Sequence, residues 1–195
     1  MAAVRLERLK KEFAPGIEIF WKAYPLVVDD MPGRRFNSYL AGVWARAGEE
    51  EPSLIFRPWP DSEDLPFSSL PALEAAKCAQ LQNGNVFARY HMAIFRAVFE
   101  QCRDISLREV LISVAADVGL DVERLAHDLD CRVVQKLVLD DYREARQSGS
   151  VIGVPTAIFS GGPSLEGAVP IELYRRAVEV AMRGQDESGG HSDRK

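Results

Sequence analysis

Apolar residues recur at helical spacing over most of the chain and take on strand character in only a few short stretches. Residues 4–13 carry apolar side chains three or four positions apart among Arg and Lys, which predicts a helix that Pro15 ends. Residues 17–22 follow a period-two pattern rich in β-formers and predict a strand. A second helix is predicted over residues 36–47.

The middle of the chain, residues 69–147, is almost continuously helical by pattern, and we expect four or five helices packed as one subdomain. Gly119 should end one of these helices and Asp121 should cap the next. Ser106 and Glu109 have the spacing of a capping box. The apolar stripes predict a core formed by Phe87, Ile94, Phe95, Val98, Leu111 and Val114.

The chain returns to strand character near its C-terminal end. Pro155 leads into the apolar run 156–159, a Gly-Gly-Pro turn follows at 161–163, and a short second strand around Leu165 precedes a last helix. Residues 184–195 are polar without periodicity and predict a disordered tail.

Pro155 admits two interpretations. Proline cannot donate to a sheet ladder and is confined to strand starts, edges and bulges, so an ordinary trans bond at a strand start explains it. Alternatively, the bond between Val154 and Pro155 is cis and faces a reactive site, although only a small minority of X–Pro bonds are cis. The local pattern leaves both interpretations open.

Composition and charge narrow the class of protein. The chain has 195 residues, of which 47% are hydrophobic and 27% are charged, as expected for one globular domain that is large enough to carry an insertion. The net charge is −5 with acids and bases interspersed, so no basic surface predicts a nucleic-acid or membrane partner. The charged start and the absence of a long apolar run favour a cytoplasmic protein.

Three cysteines, Cys78, Cys102 and Cys131, are widely spaced and form neither a Cys-x-x-Cys motif nor a cluster with histidine at zinc spacing. We therefore predict reduced, buried thiols rather than nucleophiles, and no metal site. His91 lies in an aromatic stripe and is expected in the core, whereas His127 is expected at the surface.

Several segments carry a resemblance to a known family. "GVPTAIFSGG" followed by "LEGAVPIELYRRAVE" resembles the end of the DsbA-like branch of the thioredoxin superfamily, in which a cis-proline loop leads into a strand hairpin and the final helix. "WKAYPL", "ALEAAKCAQ" and "DISLREVLISVAADVGLD" fall where that branch has its second strand and its helical insertion. The branch contains disulfide oxidoreductases, 2-hydroxychromene-2-carboxylate isomerases and kappa-class glutathione transferases.

This resemblance, which covers about residues 4–183, implies an α/β fold: a thioredoxin-like sheet with an inserted helical subdomain. Residues 1–60 and 148–183 would form the thioredoxin-like core, 61–147 the helical insertion and 184–195 the disordered tail. The resemblance also favours the cis form of Pro155 over the trans form.

The sequence departs from the family at its start. Family members begin with a strand and then a Cys-Pro-x-Cys motif, or a Ser-containing equivalent, at the first helix, whose N-terminus stabilises a thiolate. The helix at 4–13 resembles the C-terminal part of that helix, so the first strand and the motif are missing from this chain. The favoured explanation is a start codon assigned too far downstream; a truncated relative and a strand donated by a partner chain are the alternatives.

The implied function is that of a DsbA-like thiol–disulfide oxidoreductase, with no catalytic residue in the chain as given. Val154, Pro155 and Thr156 would bind substrate, because backbone groups beside such a loop can pair with an extended peptide or with glutathione. The partner would be a thiol or disulfide, either a small molecule or a peptide. No cofactor is implied beyond glutathione as a co-substrate, and a homodimer is compatible with the family.

Two alternatives stay open. A glutathione-dependent isomerase or transferase of the kappa type would hold glutathione through a Ser-Asp pair before the last helix, where this chain has Gly-Ala-Val-Pro at 167–170. A non-catalytic relative would keep the binding loop without turnover.

Overall fold

The computed structural model describes residues 1–27, 30–82 and 84–189, and these are dominated by helices. The elements, in chain order, are α1 (Ala2–Glu12), α2 (Ser38–Glu50), α3 (Leu70–Gln82), α4 (Gly84–Phe99), α5 (Arg108–Asp117), α6 (Val122–Asp130), α7 (Gln135–Ser148), β1 (Thr156–Ile158), β2 (Ser164–Glu166) and α8 (Ile171–Gly189). No helix among the described residues is both long enough and apolar enough to cross a membrane.

The chain divides into two compact units. The hairpin unit consists of residues 1–21 together with the chain from 144 onward, and the helical unit consists of residues 22–143. The sequence predicts a different kind of division, into the domains of the family: a thioredoxin-like core of residues 1–60 and 148–183 and a helical insertion of residues 61–147. The two compact units do not test that division, which stays a prediction.

The hairpin unit is built around a small antiparallel sheet. β1 pairs with β2 in the register Thr156 with Glu166 and Ile158 with Ser164. Gly161, with a φ of +71°, lies in the connecting turn, where a residue without a Cβ adopts this conformation at little cost. The core beneath the hairpin is formed by three buried side chains from α1 and α8, Leu9, Tyr174 and Val178, and by partly buried apolar neighbours.

The helical unit contains the larger core. In it α3 packs on α4, α5 and α6, and α5 packs on α4 and α6. Small side chains of α3, including Ala75 and Ala79, are fully buried and allow the neighbouring helices to approach closely. Tyr90 is fully buried, and its hydroxyl donates to the Leu111 carbonyl at 2.9 Å, which satisfies the one polar group of that side chain.

The predicted helix signals were right in most places. Asp121 caps α6, its carboxylate accepting a hydrogen bond from the Arg124 amide at 2.9 Å, and Gly119 ends the preceding helix with a φ of +74°. The predicted capping box at Ser106 was wrong. α5 begins at Arg108, and the Ser106 hydroxyl donates to the Asp104 carboxylate instead. That carboxylate lies two residues earlier in the chain and competes with the helix backbone for the Ser106 side chain.

Three other local expectations need correction. Residues 17–22 form no strand, although their side chains alternate between half-buried and exposed, because alternation sets which side chains are buried but does not by itself form a ladder. The last helix continues to Gly189, beyond the predicted start of the tail at residue 184, and residues 190–195 lie outside the described residues. Of the predicted core, Phe95 is 38% exposed, while Phe87, Ile94, Leu111 and Val114 are buried as predicted.

Candidate substrate-binding site

The loop that enters β1 places the three predicted binding residues side by side at the surface of the hairpin unit. Val154 and Pro155 are exposed, and Thr156 opens the strand. The peptide bond between Val154 and Pro155 is cis. The Thr156 hydroxyl donates to the Gly153 carbonyl at 2.7 Å, so this side chain holds the loop together.

The backbone of this loop is only partly used within the chain. The Pro155 carbonyl accepts a hydrogen bond from the Gly167 amide at 2.7 Å, which closes the hairpin beyond its last ladder pair. In the part of the chain that the structure describes, the amide and carbonyl of Val154 have no hydrogen-bond partner. Because both groups are strong hydrogen-bonding groups on an exposed residue next to a strand, they can pair with an extended ligand backbone.

A second loop, residues 167–169, connects this surface to the start of α1. The guanidinium of Arg5 donates to the carbonyls of Ala168 at 2.6 Å and Val169 at 2.9 Å. The Tyr174 hydroxyl donates to the Gly167 carbonyl at 3.0 Å. Three consecutive carbonyls are therefore held from inside the unit, and Gly167 in turn bonds to Pro155.

Arg5 lies one turn into α1 and is only 6% exposed, so the first turn of that helix carries a buried positive charge. A cation at this place adds to the positive end of the helix dipole and would favour an anionic group bound near the helix start. Tyr174 supports the same loop as a neutral donor, because its burial raises the pKa of the hydroxyl above the usual range.

Comparison with known proteins decides the family. The model of the DSBA-like thioredoxin domain matches residues 1–179, nearly the whole chain. The chain belongs to the DsbA-like thioredoxin-domain family. This confirms the resemblance and, with it, the α/β thioredoxin-like fold class predicted from the sequence.

Two relatives add detail. A crystal structure from Nitrosomonas europaea, of a protein that carries the name "putative protein disulfide isomerase", matches 93% of this chain and 89% of its own at a TM-score of 0.75 and 16% identity, which shows the shared fold. The uncharacterized protein YwbO of Bacillus subtilis is 26% identical over 89 residues, 46% of this chain and 44% of YwbO. The chain thus aligns with less than half the length of that curated relative.

The cysteines of this DsbA-like chain and the Val154–Thr156 loop belong to different units. All three lie in the helical unit, and the hairpin unit has none. Cys78 is fully buried, and burial raises the pKa of its thiol to about 12. Cys102 is half-buried, and burial likewise raises the pKa of its thiol. Neither thiol has the environment of a nucleophile.

Cys131 differs from the prediction of a buried thiol, because it is exposed at the C-cap of α6. Its sulfur lies 3.8 Å from the nearer ring nitrogen of His127, one turn earlier on the same helix. His91, in contrast, packs between Phe87 and Phe95, and burial lowers its pKa to about 4. Among the described residues no three His, Cys, Asp or Glu side chains are grouped as metal ligands.

Kappa-type enzymes hold glutathione through a Ser-Asp pair before the last helix, and this chain has neither a serine nor an aspartate at that position. Residues 167–170 are Gly-Ala-Val-Pro, and the carbonyls of the first three are already bonded to Tyr174 and Arg5. The role of Arg5 was missed by sequence reasoning, since Arg5 was counted as one of several cations along an amphipathic helix. Arg5 is buried and contacts residues 168 and 169, whereas Arg8 is exposed, and this difference depends on tertiary structure.

Proposed function

We propose that this chain is a thiol–disulfide oxidoreductase of the DsbA-like family whose Val154–Thr156 loop binds the extended backbone of a disulfide or thiol substrate. The substrate class is a peptide or a small thiol such as glutathione, and the compartment is the cytoplasm. The observation that carries the proposal is the pair of unpartnered backbone groups on exposed Val154, at the edge of β1.

In the proposed function, residues of this chain bind the substrate and hold the binding loop in place. Val154 supplies one donor and one acceptor to an extended ligand, in the manner of an added strand. Thr156 and the Gly167 amide fix the loop from the other side, and Arg5 and Tyr174 hold the 167–169 loop in place. The thiolate that exchanges with a substrate disulfide is not one of Cys78, Cys102 or Cys131 in this proposal.

The binding step is tested with a short cysteine-containing peptide and isotope-labelled protein. Val154→Pro removes the amide donor, and Val154→Ala removes most of the side chain but keeps both backbone groups. We expect binding to be lost in the first variant and retained in the second, with shift changes in the wild-type protein centred on residues 153–156. Equal affinities in both variants, at unchanged melting temperatures, would contradict the proposal.

The redox step is tested by a disulfide-reduction assay on two proteins: the chain as printed, and the product read from the next in-frame start upstream. Activity confined to the extended protein supports an oxidoreductase whose thiolate is none of the three cysteines of the printed chain. Disulfide reduction by the printed chain that is lost when all three cysteines are replaced by serine would overturn the proposal that none of them is the exchanging thiolate.

A second candidate function is a non-catalytic thiol- or peptide-binding protein. The hairpin unit, which contains the binding loop, has no cysteine, and this favours binding without turnover. Peptide binding that depends on Val154, combined with no disulfide reduction by either protein, would support this candidate over the enzyme.

A further inference from the structure

The helical unit contains a recess of about 220 Å³ beside the C-terminal part of α4 and the end of α5. Four polar side chains line it: Arg96, Gln101, Arg103 and Asp117. None of these residues takes part in the proposed thiol chemistry, and the recess lies wholly within residues 93–118. Ligand binding in this recess is therefore independent of the proposed redox function.

The backbone brings these side chains together in a defined way. Arg96 lies in the last turn of α4, and Asp117 is the last residue of α5. After α4 the chain folds back on the helix end, because the Gln101 amide donates to the Arg96 carbonyl at 3.0 Å and the Arg103 amide donates to the Ala97 carbonyl at 2.8 Å. Two cations, one anion and one amide therefore line a single small space.

Within the described residues, none of these four side chains makes a hydrogen bond or an ion pair. Guanidinium and carboxylate groups that share a recess generally form bidentate pairs, so their separation here leaves both kinds of charge available to a third group. The sum of the lining charges is one positive, which favours a ligand of net charge −1 that carries groups of both signs.

The apolar part of the lining limits the ligand's size and shape. Ala93, Val114 and Val118 provide short aliphatic surface, and no aromatic side chain lines the recess. The volume is below the roughly 300–1,000 Å³ typical of sites for drug-sized ligands, so the ligand is small and has a short aliphatic chain.

We propose that this recess binds a free acidic amino acid of the glutamate class, with two carboxylates and one ammonium group. Arg96 and Arg103 pair with the carboxylates, Asp117 pairs with the ammonium, and the Gln101 amide adds a hydrogen bond. The methylene groups of the ligand contact Ala93, Val114 and Val118. This assignment satisfies all four polar side chains at once and matches the net charge of the recess.

The proposal is tested by calorimetric titration of the full chain with three probes: L-glutamate, glutarate, which lacks the ammonium, and sulfate. We expect one saturable site for L-glutamate, weaker binding of glutarate, and little binding of sulfate. Arg96→Gln and Arg103→Gln should each weaken glutamate binding at least about tenfold, as expected for a lost charged pair. Asp117→Asn should weaken glutamate binding but should not weaken glutarate binding, because glutarate has no ammonium to pair with Asp117 and its two negative charges are repelled by that carboxylate.

The matched control is Arg176→Gln, an exposed arginine on α8 in the hairpin unit, which should bind glutamate like the wild-type protein. Amide shift changes on titration should centre on residues 93–118, and this mapping on the wild-type protein keeps the proposal testable if a variant fails to fold. Absence of saturation up to about 10 mM, sulfate binding as tight as that of glutamate, or shift changes outside the recess would overturn the proposal.

Discussion

The helical unit and the hairpin unit differ in the groups they could contribute to thiol chemistry. The helical unit contains all three cysteines, and the two that are buried or half-buried have raised pKa values. The hairpin unit contains the loop with unpartnered backbone groups at Val154 and has no cysteine. Family membership therefore shows the fold of this chain, whereas the reactivity of each thiol depends on its own environment.

The two units also bury charge in different ways. In the helical unit the carboxylate of Asp141 is 8% exposed and is bonded to Lys77 at 2.6 Å, to Lys22 at 3.1 Å and to the Ala23 amide at 3.0 Å. In the hairpin unit the buried guanidinium of Arg5 donates hydrogen bonds to the carbonyls of Ala168 and Val169. Removing Asp141 leaves the largely buried Lys77 ammonium without its partner, whereas removing a donor in the hairpin unit leaves only a neutral carbonyl unpaired, so the helical unit should be the more sensitive to the loss of one polar group.

The largest expected effect comes from Asp141→Ala. Burial raises the pKa of this carboxyl, but the hydrogen bonds from Lys77, the Ala23 amide and Lys22 outweigh burial and hold the pKa below its usual value. Losing the carboxylate should reduce the free energy of unfolding by about 3 kcal/mol, because Lys77 is left buried without its partner. Urea unfolding followed by fluorescence of Trp44 and Trp59, both in the helical unit, measures this loss.

The control for that variant is the neighbouring Asp140→Ala. Asp140 pairs with Lys136 and Arg143 on the surface of α7, where water can replace the lost partner, and we expect little change in stability. Equal losses in the two variants would show that burial of the Asp141 cluster is not what stabilises the unit.

The next effect is a pH dependence that arises from His91 in the helical unit. The unfolded pKa is about 6.5, and burial lowers the folded value to about 4, so the unfolded state binds the proton more tightly. The stability contributed by neutral His91 is present above pH 6.5 and is lost as the pH falls toward 4. We expect this residue to account for about 2 kcal/mol of destabilisation between pH 7 and pH 5.

Urea unfolding at several pH values, compared with the His91→Phe variant, checks this expectation. The variant should lose stability less steeply between pH 7 and pH 5, because phenylalanine has no proton to bind and can still pack between Phe87 and Phe95. Parallel pH profiles for the two proteins would rule out His91 as the source of the slope.

A smaller effect is expected in the hairpin unit from Tyr174→Phe. The change keeps the ring in the core and removes the hydrogen bond to the Gly167 carbonyl, at a cost of about 1 kcal/mol. Thermal unfolding followed through Trp21, which lies in the same unit, measures it. Tyr142→Phe is the matched control, because its hydroxyl has no hydrogen-bond partner among the described residues. If both variants melt alike, the bond to Gly167 adds nothing to stability.

The smallest expected effect is a difference in the rates at which the three cysteines react with a thiol reagent. With a slow thiol reagent at pH 8, exposed Cys131 should react first, half-buried Cys102 later, and Cys78 only when the protein unfolds. Peptide mass analysis over time gives the order. Rapid labelling of Cys78 in the folded protein would show that the core around α3 opens readily. It would contradict the expectation that the buried Cys78 reacts last of the three cysteines.

Local sequence signals explain most of the secondary structure. The cap at Asp121, the stop at Gly119 and the turn at 161–163 depend on side chains or on the absence of one within a few residues, so they could be read from the chain directly. Residues 17–22 show the limit of such signals. Their side chains alternate between half-buried and exposed, as the sequence pattern predicts, but the segment forms no strand, because a strand also needs a neighbouring strand that local sequence does not provide.

The sequence by itself predicted most of the helices, the hairpin and the proline loop that enters it, because periodicity, turn residues and a proline before a strand act over short distances. Tertiary structure alone decided that Arg5 holds residues 168 and 169, that Lys77 and Lys22 meet at Asp141, and that four polar side chains around Arg96 share one recess. Apart from that recess, whose residues are close in sequence, these contacts join positions 64 to 164 residues apart. Charges at such separations meet only when packing brings their elements together, and no local pattern encodes that distance.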